Sequence, residues 1–70
     1  MAVVDARNCK EIGAEAFKDT GLKQIRLDGA CLIDDTAFSG CGTVYVFAPA
    51  GDKTETFCVT HDGIEFVAIN

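Results

Sequence analysis

Apolar residues along this chain return at a fixed interval. Ile12, Ala16 and Phe17 are followed 21 residues later by Ile33, Ala37 and Phe38. Behind each copy comes a turn signal, Asp19-Thr20-Gly21 or Ser39-Gly40-Cys41-Gly42. An alternating apolar run then follows, Leu22-x-x-Ile25-x-Leu27 or Val44-x-Val46. A period in the low twenties predicts a solenoid, in which each repeat is one coil that cannot bury its own apolar edge. Ile-x-x-x-Ala spacing puts its first and fifth positions on one helical face, so a short helical turn is expected in each copy.

Strands are expected at 22–27 and 43–47. In the first, Leu22, Ile25 and Leu27 point inward and leave Gln24 and Arg26 on the opposite surface. In the second, Val44 and Val46 point inward while Thr43, Tyr45 and Phe47 face out, because period two fixes the rest once the apolar set is chosen. Pro49 ends that strand. Asp52 with Glu55 three residues later reads as a capping box opening a helix, and Gly63 as its C-terminal stop. Phe57, Cys58 and His61 share one helix face with Thr54. The segment 64–69 reads as a strand covered at least partly on both faces. Strand, helix, strand with a crossover of this length favours a right-handed parallel connection, with the helix laid over the open end of the stack.

These residues resemble the bacterial BspA-like leucine-rich repeat, whose unit runs roughly Ile-Gly-x-x-Ala-Phe, a small or Cys-containing turn, then Leu-x-x-Val-x-Ile. The first repeat matches at Ile12, Gly13, Ala16, Phe17, Leu22, Ile25 and Leu27. The second matches at Ile33, Ala37, Phe38, Gly40, Cys41, Val44 and Val46, with Asp34 where the pattern prefers Gly. The segment from Ala50-Gly51 to Gly63-Ile64-Glu65-Phe66-Val67-Ala68-Ile69 is similar to the C-terminal cap of such arrays. The resemblance implies an α/β fold: a leucine-rich-repeat solenoid fragment with a small parallel sheet, short helical turns and a β-α-β cap. Its divisions are 1–8, the remnant of a preceding coil around Ala2-Val3-Val4; 9–29 and 30–49, the two repeats; and 50–70, the cap. It also implies a bacterial surface or secreted protein whose arrays bind macromolecules, although fold alone does not fix function.

Composition narrows this further. Seventy residues make one small domain, and such a chain buries only about 60% of its unfolded surface. No run of 18 apolar residues is present, so no membrane insertion is expected. Met1-Ala-Val-Val-Asp has neither a basic nor a sufficiently long apolar region, so no signal peptide is read there. Net charge is −5, and Lys10, Lys18, Lys23, Arg26 and Lys53 are scattered rather than clustered, which argues against a nucleic-acid partner. Solenoids need a polar cap at each end. Only the C-terminal one is visible, so the chain reads as the tail of a longer array. The alternative is a small protein that self-associates through its uncapped N-terminal strand edge.

Chemistry-bearing motifs are few. The four cysteines read as small buried plugs in stacked coils. A Cys9–Cys31 bridge between rungs is the alternative, since adjacent strands lie about 4.8 Å apart. Cys58-Val-Thr-His61 has a spacing that zinc sites use. Completing four ligands would require Cys31 and Cys41 from other coils, and a helix face with an inner Cys58 is the simpler reading. The same pair lacks the third, orienting residue of a nucleophile–base constellation. Asp34-Asp35 lacks the alternating oxygens of a calcium loop and reads as a turn cap. No phosphate-binding loop is present. The expectation is therefore a non-enzymatic interaction module, with no cofactor, no metal site and a protein partner. Its candidate contact residues are Gln24, Arg26, Thr43 and Tyr45 on the exposed strand face, aromatic and Arg side chains being enriched in binding hot spots.

Overall fold

A computed structural model describes residues 3–69. In chain order its elements are β1 (Val3–Ala6), β2 (Glu11–Ile12), β3 (Gln24–Leu27), β4 (Leu32–Ile33), β5 (Val44–Ala48), α1 (Lys53–Val59) and β6 (Ile64–Ala68). Four strands form one parallel sheet in the order β1-β3-β5-β6, and β2 with β4 form a second, two-residue parallel pair. The register repeats the sequence period. Val3 faces Gln24, Gln24 faces Tyr45, and Ile12 faces Ile33, each pair 21 residues apart. The last step, Val44 to Ile64, is 20.

Alternation decides which side is buried. Ile25 and Leu27 of β3, and Val44, Val46 and Ala48 of β5, are at most 1% exposed, while Gln24, Arg26 and Tyr45 between them are exposed. Leu22, also buried, precedes β3 rather than belonging to it. Across the core stand Ile12, Cys31, Ala37, Phe38, Cys41, Phe57 and Cys58. The result is a small compact α/β unit with a radius of gyration of 10.4 Å, close to the roughly 11 Å expected of a globular chain this long.

The two anchor copies fold as turns, not as the expected helical turns. Ala16, Lys18 and Thr20 donate to the carbonyls three residues back, and Ala37, Ser39 and Cys41 do the same. The bonds skip alternate residues because the intervening amides serve a neighbour: Phe17 and Asp19 N–H donate to the Ala37 and Ser39 carbonyls at 2.8 and 2.9 Å. Glu15 and Asp19 adopt positive φ of 57°, which interrupts a right-handed helix. The first turn thus uses alternate amides to close on itself and to join the second.

Position within the stack explains a second departure. Ala37 is fully buried, but Ala16, its counterpart, is exposed. The second turn lies between the first and α1, and its Phe38 ring contacts Phe17 on one side (5.8 Å, stacked) and Phe57 on the other (6.2 Å, edge-on). Among the described residues, nothing covers the first turn in the same way. The strand expected around Ala2-Val3-Val4 is present as β1, with Ala2 of that expectation outside the described residues.

Helix α1 follows Asp52, whose side chain accepts from Lys53 N–H at 2.8 Å. Glu55 reaches back to Gly51 N–H at 2.6 Å. Both acids serve the start of the helix, but not as the expected capping box: Asp52 takes the Lys53 amide, two residues short of the Glu55 amide the box would use, and Glu55 takes the Gly51 amide, one residue ahead of the Asp52 amide. Thr60 closes the helix, and Gly63 (φ 81°) instead turns the chain into β6. That strand runs parallel to β5, as the strand-helix-strand pattern predicts.

Candidate functional site

Parallel pairing in register lines the outward residues of the sheet into rows. One row is Val3, Gln24, Tyr45 and Glu65; the next is Asp5, Arg26, Phe47 and Val67. Adjacent strands lie about 4.8 Å apart, so each row is a ladder of touching neighbours. Three of the four residues expected on this face therefore come together: Gln24 directly opposite Tyr45, and Arg26 one row along on the same strand. Thr43 is exposed but lies just ahead of β5 and outside both rows. Phe47, expected to face out, joins those three, and Val3, Asp5, Glu65 and Val67 complete the face; the places of these last four depend on register, which strand prediction by itself does not provide.

Tyr45 is 44% exposed in the middle of this surface, and Phe47 beside it is half-buried. Arg26 makes no hydrogen bond or salt bridge among the described residues. Its neighbour Asp5 is already engaged, taking Nε and Nη2 of Arg7 at 2.9 Å each. That hydrogen bonding holds the Asp5 carboxyl below the usual carboxylate range, with Arg7 and Arg26 charges adding to it. Committing Asp5 to Arg7 leaves the Arg26 guanidinium directed to the open face, next to an aromatic pair. Its five N–H donors suit carboxylate or carbonyl acceptors on a partner.

The more pronounced concavities are lined by other segments: the 5–9 turn, β4 with the start of α1, β2 with β4, and the second turn with His61. None of these is lined by Gln24, Arg26, Thr43 or Tyr45. A small molecule binds in a cavity that buries most of it, so a ladder of aromatic and polar side chains that lines none of these concavities suits a macromolecular surface better.

The Cys58 and His61 pair is placed differently from a catalytic or metal-binding pair. Burial, with the Glu55 charge behind it, pushes the Cys58 thiol up to about 11, so at neutral pH it is protonated, the opposite of an activated nucleophile. His61 stacks on Phe57 with ring centres 4.0 Å apart. Its Nδ1 lies 2.7 Å from the Phe57 carbonyl and its Nε2 3.0 Å from Asp35 Oδ1. The ring fastens the end of α1 to the second turn. Among the described residues, no group of three or more His, Cys, Asp or Glu side chains could hold a metal ion.

Asp34 acts as the local cap expected of it. Its Oδ1 accepts from Thr36 N–H at 2.9 Å and from the Thr36 hydroxyl at 2.8 Å, which holds its carboxyl below the usual range. Among the described residues, no helix is long and apolar enough to cross a membrane. Comparison of the chain with protein-family models, with curated proteins and with solved structures finds no match.

Proposed function

We propose that the chain is a non-catalytic protein-interaction module built as the capped end of a leucine-rich-repeat solenoid, and that it binds through the outer face of the β1-β3-β5-β6 sheet. The observation that carries the reading is the 21-residue register, which sets Gln24 beside Tyr45 and Arg26 beside Phe47 on adjoining strands. Repetition at this period places one residue of each coil in every row, and such rows form the extended surfaces by which stacked-repeat proteins take macromolecular partners. The residues in the rows include the Tyr and Arg types that dominate hot spots. In this reading the module belongs to a longer bacterial protein at the cell surface or secreted from it.

The competing reading is a purely structural cap, favoured by the way Thr54, Phe57 and Cys58 of α1 close one end of the core. Site-specific photo-crosslinking in cells that produce the protein separates the two. A crosslinker in place of Tyr45 should give a discrete protein adduct that weakens with Arg26→Ala, whereas one at Thr56 on the helix should not. Equal labelling from both positions, or adducts indifferent to Arg26, would sink the binding-face reading and leave the cap.

A further inference from the structure

All four cysteines are free in the structure, but two of them are paired by the fold. Cys9 and Cys31 each end a tight turn that leaves a strand of the main sheet. Cys9 N–H donates to the Ala6 carbonyl at 3.0 Å and Cys31 N–H to the Asp28 carbonyl at 3.4 Å. Just before them Ala6 is paired with Leu27, and just after them Glu11 is paired with Leu32. That register of 21 sets Cys9 opposite Ala30 and Cys31 opposite Lys10, so the two cysteines are diagonal neighbours on backbones about 4.8 Å apart, one step across and one step along, with their Cα atoms roughly 6 Å apart. That lies within the Cα separations of roughly 4.4–6.8 Å that a disulfide spans. Their thiols reach toward the same strand pair, Cys9 Sγ donating to the Glu11 carbonyl at 2.9 Å and Cys31 Sγ to the carbonyl of Leu32, the register partner of Glu11, at 3.8 Å.

We propose that Cys9 and Cys31 form a thiol–disulfide exchange site that reacts with a low-molecular-weight disulfide to tie the first turn covalently to the second. The chemistry divides between the two residues by exposure. Cys9 is partly open to solvent, beside the concavity lined by the 5–9 turn, whereas Cys31 is 1% exposed. Cys9 as thiolate attacks one sulfur of the small disulfide RSSR. A Cys9–S–S–R bond forms, the S–S bond of the reagent breaks, and one RS⁻ leaves to take up a proton. Cys31 then loses its proton and attacks the Cys9 sulfur. The Cys9–Cys31 bond forms and the second RS⁻ departs, so two protein thiols are oxidised and one RSSR is reduced to two RSH.

Burial is the largest influence raising Cys31 to about 11, followed by the charge of a nearby Cys9 thiolate. Once Cys9 is in a mixed disulfide its charge is gone and that part of the penalty is relieved. Burial persists, so the closing step is the slower one and quickens as pH rises. The other cysteines are differently engaged: Cys41 donates to the Phe17 carbonyl at 2.9 Å, and Cys58 lies in the buried face of α1.

Oxidised glutathione, added to the intact chain under native conditions, is the probe. Mass spectrometry should show loss of two hydrogens, with the bond mapped to Cys9–Cys31. Trypsin leaves Cys31 and Cys41 on one peptide, so cleavage at Asp34 is needed to assign it. Cys31→Ser should trap the glutathione adduct on Cys9, and Cys9→Ser should prevent bridging. The bridged protein should melt roughly 14–27 °C above its reduced form, as closing a loop of this length implies. A bond mapping to any other pair would overturn the proposal. So would a wild-type chain that stops at the Cys9 adduct, or a bridged form that melts no higher. The wild-type peptide map decides the matter whether or not either variant folds.

Discussion

Thr54 is the one fully buried polar side chain among the described residues, and it joins α1 to the turn between β3 and β4. Its Oγ1 donates to the Asp28 carbonyl at 2.6 Å and accepts from Cys31 N–H at 3.3 Å, while its own N–H donates to the Gly29 carbonyl at 2.9 Å. Thr54→Val keeps the shape and removes only the hydroxyl, leaving two buried groups short of a partner. Each such loss costs about 1–3 kcal/mol when nothing replaces it. Here Cys31 N–H also lies 3.4 Å from the Asp28 carbonyl, so the two abandoned groups can partly satisfy each other, and we place the total near the low end, about 2 kcal/mol. Thr54→Ser keeps the hydroxyl and loses one methyl, about 1 kcal/mol. Urea titration of the reduced protein should therefore rank wild type above Ser above Val. In a domain this small 2 kcal/mol corresponds to a fall in Tm of roughly 8–16 °C. If Val equals wild type, or Ser is the worse of the two, methyl packing rather than the hydrogen-bond pair holds the helix, and the reasoning fails.

Three further outcomes are expected. Phe38→Ala removes the ring between Phe17 and Phe57, a core loss of about 3–5 kcal/mol. A domain of this length has roughly 3.5–10 kcal/mol in all, so circular dichroism should show it largely unfolded at 37 °C, with Phe38→Leu folded. Gly40→Ala should destabilise, because Gly40 holds φ of 76° and an added methyl meets the Asp19 carboxylate; Asp19→Ala beforehand should reduce the loss without abolishing it, since the backbone conformation still disfavours alanine. On acidification, Asp5, Asp28 and Asp34, each held below the usual carboxylate range by hydrogen bonds from Arg7, Lys10 and Thr36 respectively, take up protons more readily unfolded than folded. Stability should be flat above about pH 5, then decline as pH falls through their folded values. Asp34→Asn should flatten that decline, and an unchanged acid limb would contradict the Asp34 assignment.

Much of this architecture is legible in the sequence because the 21-residue period and the inward side of each strand are two expressions of one constraint. Ile25, Leu27, Val44 and Val46 can all be buried only if β3 and β5 run in the register that period dictates. The capped helix is legible for a local reason, since Asp52, Glu55 and the face Thr54-Phe57-Cys58 lie within one short stretch. What escaped depended on neighbours. Ala16 and Ala37 are identical in pattern, yet only the second has packed structure on both sides. Glu15 and Asp19 carry no sign of left-handed backbone in their residue types, and turn-to-turn hydrogen bonds replace the helical ones. On the outer face Gln24, Arg26 and Tyr45 follow from period two alone. Asp5 and Glu65 join them through register, and Thr43 falls outside because β5 begins one residue later than expected.

In the proposed reading the two sides of the sheet have different tasks. Behind it the rings of Phe17, Phe38, Phe57 and His61 run in one continuous file, and buried backbone groups are joined by Thr54 and Cys41. Truncating the buried rings or removing the Thr54 hydroxyl there should lower stability. In front, Gln24, Arg26 and Tyr45 are exposed, and exposed positions of this kind change stability by no more than about 0.5 kcal/mol. An interaction module needs that separation, because a contact surface that also held the fold together could not vary with its partner. Arg26→Ala should therefore leave the melting temperature nearly unchanged. If it instead lowers stability as a core substitution does, Arg26 is part of the scaffold, and the partner must be sought on another surface.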